Sequence, residues 1–392
     1  MVMKWNYCLF ELRLLLANKK NWVLGIAFIL FIPIYYLHYS SVEVKDIQVL
    51  KNEESKEYFS IFNYYPEESR DTPKGKEIYE NLTEQSSLVN DQRFALWTKE
   101  LDNDLYITSG LKLNELRLRV HELGNEGIHA SFVIPKEEIY KEIALLSYYS
   151  ERDLPLVKDP FAASNYLPVA LNWMSGLLFS LFVLLIGSSM YIHDQQKKTV
   201  MGVFPVTFMQ KVVTKVGLHF AQVLVFLGLG VAAGIAFVAS KAGVGNFETP
   251  VLLFQNGTYI AVSTTRYLVY MFVALALITL LLLFASALFN ILTENLYVSL
   301  LAILFIIVLP MICSYAGLPT RWLQPIEFID IGKVMDGSAA LRTGSDTLDF
   351  KHGLFWLTSL NIFVVALLYG KNKWTYRKRK EKPVFESGVA GK

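Results

Sequence analysis

Charge is the property this sequence is shortest of. Charged residues make up 18% of the chain, against about 25% in ordinary soluble proteins, and some long stretches carry none. Asn21 to Val42 contains no Asp, Glu, Lys or Arg, and neither does Pro160 to His193. The same holds between Lys215 and Lys241, between Arg266 and Glu294, between Glu294 and Arg321, and between Lys351 and Lys371. A helix built from any of these has no solvated face. Cysteine is scarce too: Cys8 and Cys313 are the two present, which excludes a disulfide framework and a cysteine-based metal site. Catalytic signatures are missing. Gly75-Lys76 is followed by Glu77 rather than by the Ser or Thr of a phosphate loop. No Gly-x-Ser-x-Gly or His-Glu-x-x-His occurs, so the chain carries no site of its own for ATP hydrolysis, acyl transfer or zinc proteolysis by those routes. Ionisable groups inside apolar runs mark ion pathways. His219 is the main one here and reads as a packing or interfacial residue, which speaks against proton- or sodium-coupled transport.

What fills the space is apolar: 53% of residues are hydrophobic, concentrated in runs near the 20 or so residues that cross a bilayer as a helix. The expectation is an all-α polytopic membrane protein with six transmembrane helices, at 21–40, 164–192, 215–240, 267–292, 297–317 and 352–370. The first run is not a cleavable signal peptide, because Ile34-Tyr35-Tyr36-Leu37 is too bulky for a cleavage site. Lys19 and Lys20, then Lys197, Lys198, Lys211 and Lys215, then the basic tail 371–392 fall on one side of six spans. The positive-inside rule makes that side cytoplasmic, with both termini there, in a cell (plasma) membrane.

Segment 41–163 differs in character. Residues 41–160 carry 24 Asp or Glu against 15 Lys or Arg, a net of −9, which leaves +11 on the rest of a chain of net +2. It reads as a mainly helical extracellular domain between the first two spans, with Pro135-Lys136-Glu137-Glu138 opening a helix. Within 241–266, Asn256-Gly257 separates two β-prone runs, the strongest short signal for a hairpin. Loop 318–351 is read as polar and extracellular. Residues 1–20 have an amphipathic helical pattern, with Trp5, Leu9, Leu12 and Leu16 on the face for the membrane interface, Arg13 among the polar residues, and Asn18-Lys19-Lys20-Asn21 forming a bend before the first span.

The loop 193–214 is the most informative stretch. It runs His193-Asp194-Gln195-Gln196-Lys197-Lys198-Thr199-Val200-Met201-Gly202-Val203-Phe204-Pro205-Val206-Thr207, then Lys211 and Lys215. Here the chain resembles the permease subunits of ABC exporters of the ABC-2 (type V) family. Their loop reads acid, polar or basic residues, Gly-Thr, apolar residues, Leu-Pro-Val-Ser/Thr, and a Lys opening the next span. Asp194, Thr199, Pro205, Val206, Thr207 and Lys215 match, while Lys198 stands for the usual Gly and Phe204 for Leu. Phe10-Glu11-Leu12-Arg13-Leu14-Leu15-Leu16 looks like the family's elbow helix, and Gln324-Pro325-Ile326-Glu327-Phe328 sits where such permeases carry a proline. The resemblance covers the membrane part and not the extracellular domain.

The resemblance implies a subunit without an ATPase site. Its partners would be an ABC ATP-binding subunit, which holds ATP and Mg, a second permease copy or paralogue, and the lipid bilayer. Asp194, Lys197, Lys198, Thr199, Gly202, Phe204, Pro205, Val206, Thr207 and Lys215 would couple to the ATPase. The cargo would be apolar or amphipathic: a peptide, a lipid or a hydrophobic antibiotic. No cofactor is expected on this chain, and no nucleic-acid partner. The alternative is a non-transporting immunity or sensor protein that binds an extracellular peptide through the domain after the first span.

Overall fold

The computed structural model describes residues 2–42, 46–97, 101–156, 159–191 and 205–381. Helices dominate. Val2–Ala17 (α1) is followed at once by Lys19–Ser41 (α2). The bend between them is set by Asn18, whose side chain accepts from the Lys20 amide and so caps α2. A polar domain follows, built from Ile47–Tyr64 (α3), Glu67–Arg70 (α4), Pro73–Trp97 (α5), Asn103–Glu122 (α6) and Lys136–Arg152 (α7). The chain then returns to an apolar bundle through Ala163–Met174 (α8), Leu177–Ser188 (α9) and the long Phe208–Ala242 (α10). Two strands, Pro250–Gln255 (β1) and Thr258–Ser263 (β2), precede Thr264–Thr293 (α11) and Leu296–Tyr315 (α12). Three short helices, Gln324–Glu327 (α13), Ile331–Met335 (α14) and Ser338–Thr343 (α15), lead to Phe350–Glu381 (α16).

Among the described residues, α2, α10, α11, α12 and α16 are each long and apolar enough to cross a membrane, and α8 with α9 makes a sixth if the bent pair is one span. The fold is mostly helical, consistent with an all-α membrane protein carrying one β-hairpin. α2 and α10 lie close together because glycine sits at their crossing. A Cβ at Gly25 would stand 2.3 Å from the Phe226 ring, and one at Gly234 would stand 2.4 Å from Ile32 Cγ2. Small residues at a crossing let helix backbones approach where no hydrophobic effect drives association.

Two expectations are corrected. The span 164–192 is not one helix: it breaks at Ser175-Gly176, where Gly176 takes a φ of +78°, and α8 and α9 meet at 63°. The loop 318–351 is not simply a polar surface connection either. Phe328, Ile331, Val334, Met335 and Ala339 are buried in the same apolar core as the spans. Its short helices fill the angle left by the break. The hairpin is as expected, with Leu253 opposite Ile260 and Val251 opposite Val262. Asn256 and Gly257 both have positive φ, as a two-residue hairpin turn requires.

The polar domain has two small cores of its own, one around Ile78, Val89 and Leu113 and one around Ala95, Leu96 and Ile107. Between α3, α6 and α7 lies a largely buried ion network. Lys51 is 2.8 Å from Glu54 and 3.2 Å from Glu142; Arg117 is 3.0 Å from Glu142 and also pairs with Glu54. Burial would raise the Glu142 pKa, but Lys51 and Arg117 outweigh burial and hold it below the usual carboxylate range. Lys51 goes the other way: burial opposes its charge, and Glu142 and Glu54 more than restore it. The domain is tied to the hairpin through α7, where the Tyr259 hydroxyl donates to Glu137 at 2.7 Å and Lys141 lies 2.6 Å from the same carboxylate.

Two outcomes follow. Gly234→Val should force α2 and α10 apart and lower the melting transition in detergent, by about 1–3 kcal/mol of overpacking. Gly228→Val, at a position with open space around it, should melt like the parent. The ion network sets a pH window. Glu142, with a depressed folded-state pKa, contributes stability above the unfolded value of about 4.3 and loses it as pH falls through the lower folded value. Lys51, with a raised one, contributes below about 10.4 and loses its contribution as pH rises through the higher folded value. Far-ultraviolet circular dichroism of the full chain should therefore be flat between about pH 5 and 10 and lose helix below about pH 4. In Glu142→Gln the neutral-pH stability should drop and the acid limb should flatten.

Candidate functional site

The expected coupling residues Asp194, Lys197, Lys198, Thr199, Gly202 and Phe204 lie outside the described residues. What the structure describes is the frame on either side of them. On the near side, α9 ends at Ser188, and Met190 and Tyr191 are buried. On the far side Pro205 is exposed, Val206 half-buried and Thr207 exposed. Thr207 caps α10 reciprocally with Gln210: the Gln210 amide donates to Thr207 Oγ1 at 3.3 Å, and the Thr207 amide donates to Gln210 Oε1 at 3.0 Å. This capping box starts α10 sharply at Phe208. The start of α10 is thereby set by Thr207, the last residue of the motif, together with Gln210.

Lys215 lies two turns into α10 and faces inward. Its side chain is 2% exposed, and its ammonium stands 2.9 Å from both carboxylate oxygens of Glu11 on α1. It also donates to the Met190 carbonyl at 3.2 Å and sits 5.6 Å from the centre of the Tyr191 ring. His219, one turn further on, uses Nδ1 to donate to the Lys215 carbonyl at 2.8 Å. It is a packing residue bonded within its own helix. A charge this far from water is tolerated only when paired and hydrogen-bonded, and Lys215 meets both conditions. One ion pair thus joins α1, α10 and the residues that enter the loop.

Further polar links run from the start of α2 to the end of α9. Lys20 donates to the Leu185 carbonyl at 2.6 Å and to Ser188 Oγ at 3.4 Å, and Asn18 donates to Ser189 Oγ at 3.4 Å. Asn21 donates to Gln222 Oε1 on α10 at 3.1 Å. The residues expected at the membrane interface are arranged differently from those that hold the joint. Trp5 is 64% exposed, Leu9, Arg13 and Leu16 are exposed, and Leu12 is half-buried. Tyr7, Glu11 and Leu15 form the buried stripe of α1.

Glu11 was missed as a site residue because its charge placed it on the polar side of α1. A signal was available: it stands four residues from both Tyr7 and Leu15, so all three share one helix face. The Glu11–Lys215 joint links α1 and α10 and, through Met190 and Tyr191, the end of the segment after α9. No family model matches the chain, and neither a curated protein nor a solved structure is significantly similar to it.

Removing one partner of a buried pair strands the other charge. Lys215→Met should therefore destabilise the protein by about 3–5 kcal/mol, whereas Glu11→Leu/Lys215→Met should recover most of the loss. Thermal melts of the two variants beside the parent check this, and equal melting of single and double variants would contradict it.

Proposed function

We propose that this chain is the membrane permease subunit of an ATP-driven exporter, moving an apolar or amphipathic cargo such as a peptide, lipid or hydrophobic antibiotic. A separate ATP-binding subunit would hydrolyse ATP, and a second permease copy or paralogue would complete the pathway. In this reading α1 is the elbow helix, with Trp5, Leu9 and Leu16 in lipid. The loop end of the bundle faces the cytoplasm and the polar domain stands outside the cell. The observation that carries it is the frame on either side of the loop: Glu11 pairs with Lys215 beside Met190 and Tyr191, and the Thr207 capping box starts α10. An ATPase pushing on a short loop does work on the spans only if the loop's ends are held in them. The held ends support this reading, with exposed Pro205 and Thr207 at the far one.

A second reading is favoured by a different feature. A cleft of about 700 Å³ lies between the polar domain and the bundle, lined by Leu50, Leu146, Tyr149 and Leu252 with Lys51 and Glu142 at its charged side. Its size is that of a ligand pocket, and a non-transporting immunity or sensor protein would use it for an extracellular peptide.

Affinity purification of the tagged full chain from its native membrane separates the two. The exporter reading expects a Walker-type ATPase in the eluate. It also expects that Phe204→Ala/Pro205→Ala loses that ATPase or leaves its ATP turnover unresponsive to the permease. Absence of any ATPase across several mild detergents would overturn it in favour of the second reading.

A further inference from the structure

The break in the second span is more than a kink. α9 has 12 residues, about 18 Å of helix at 1.5 Å per residue, which is short of the roughly 30 Å hydrocarbon layer. With α8 bent 63° away from it, the break at Ser175-Gly176 falls within the apolar layer if the pair spans it. Polar groups gather there. Ser175 Oγ accepts from the Gly332 amide at 3.0 Å and donates to the Asn172 carbonyl at 2.7 Å. The Asp330 carboxylate packs against Gly176, at the start of α9, and is paired with Lys333 at 2.7 Å.

Asp336 is different. It accepts from Asn172 Nδ2 at 3.1 Å and from the Ser338 amide at 2.8 Å, both neutral donors. No cationic side chain pairs with it among the described residues. Asp336 is half-buried, next to Gly337, which packs against the Tyr259 hydroxyl of the hairpin. Beside Asp336 opens a cavity of about 610 Å³. It is lined by Asn172, Asp330 and Asp336 and by Trp173, Leu178 and Leu181; Lys333 also lines it, so the charged lining has one negative charge in excess. The Trp173 ring, 61% exposed, is held in place by stacking on Tyr35 at 5.2 Å.

We propose that this cavity binds an amphipathic organic monocation, its ammonium or guanidinium group at Asp336 and its apolar body against Trp173, Leu178 and Leu181. The excess carboxylate supplies the charge match. The apolar lining favours a group with a hydrophobic body over a small hydrated ion. The site stands apart from the exporter reading: ligand occupancy is measured without an ATPase, so either proposal can fail alone.

Equilibrium binding of radiolabelled 4-phenylbutylammonium to the full chain in phosphatidylcholine nanodiscs tests it. Saturable binding above empty nanodiscs is expected, weakened about tenfold or more in Asp336→Asn, which keeps the shape and loses the charge. Glu248→Gln, an exposed acid elsewhere, should bind like the parent. If Asp336→Asn does not give a monodisperse protein, Leu181→Trp fills the cavity while leaving the carboxylate intact, and should lose binding. No saturable binding to the parent, or unchanged affinity in Asp336→Asn or Leu181→Trp, would overturn the proposal. Nanodiscs of phosphatidylethanolamine identify the source of the cation. Weaker probe binding there means that a lipid amine occupies the site, and equal binding means that the cation comes from outside the bilayer's own lipids.

Discussion

An apolar layer offers a buried charge no water, so each charge must meet its opposite or a full set of hydrogen bonds. Glu11 and Lys215 are where this constraint acts most directly. Neither side chain could be buried alone. Together they hold α1 beneath the bundle, and through Met190 and Tyr191 they hold the end of α9 to the same point. The lesser links of Asn18, Lys20 and Asn21 reinforce the same junction between the first three apolar segments.

The same rule shapes the opposite half of the bundle. The break between α8 and α9 brings the Ser175 hydroxyl to the Gly332 amide and the Asn172 side chain to Asp336. The segment between α12 and α16 is held in the angle by these contacts, and its apolar side completes the core through Phe328, Ile331 and Val334. In the polar domain, Lys51, Glu54, Arg117 and Glu142 balance one another in a network of two cations and two anions. The Tyr259–Glu137–Lys141 contact carries the domain's position over to the hairpin and hence to α11.

Much of this architecture is legible in the sequence because it rests on local rules. Charge-free runs mark the apolar helices. Asn18-Lys19-Lys20-Asn21 marks the bend before α2, and Asn256-Gly257 announces the hairpin. The helical character of the polar domain follows from its long runs between glycines and prolines. Part of the candidate site is legible as well: Lys215 stands out as a lone charge at the head of an apolar run. Its partner is not, because Glu11 lies more than two hundred residues earlier and looks solvated on an amphipathic pattern. The broken span was hidden for a related reason. Ser175-Gly176 inside an apolar run is tolerated in an intact helix, and nothing local says that residues 330–336 will occupy the angle of a bend.

The sequence by itself determined that this is a helical membrane protein with one large polar insertion, since the transfer of long uncharged runs out of water depends on composition and length alone. Tertiary structure decided which charges are buried and what they face. Those pairings, Glu11 with Lys215 and Asp336 with only neutral donors, join segments far apart in the chain, and only packing brings such segments within hydrogen-bond reach.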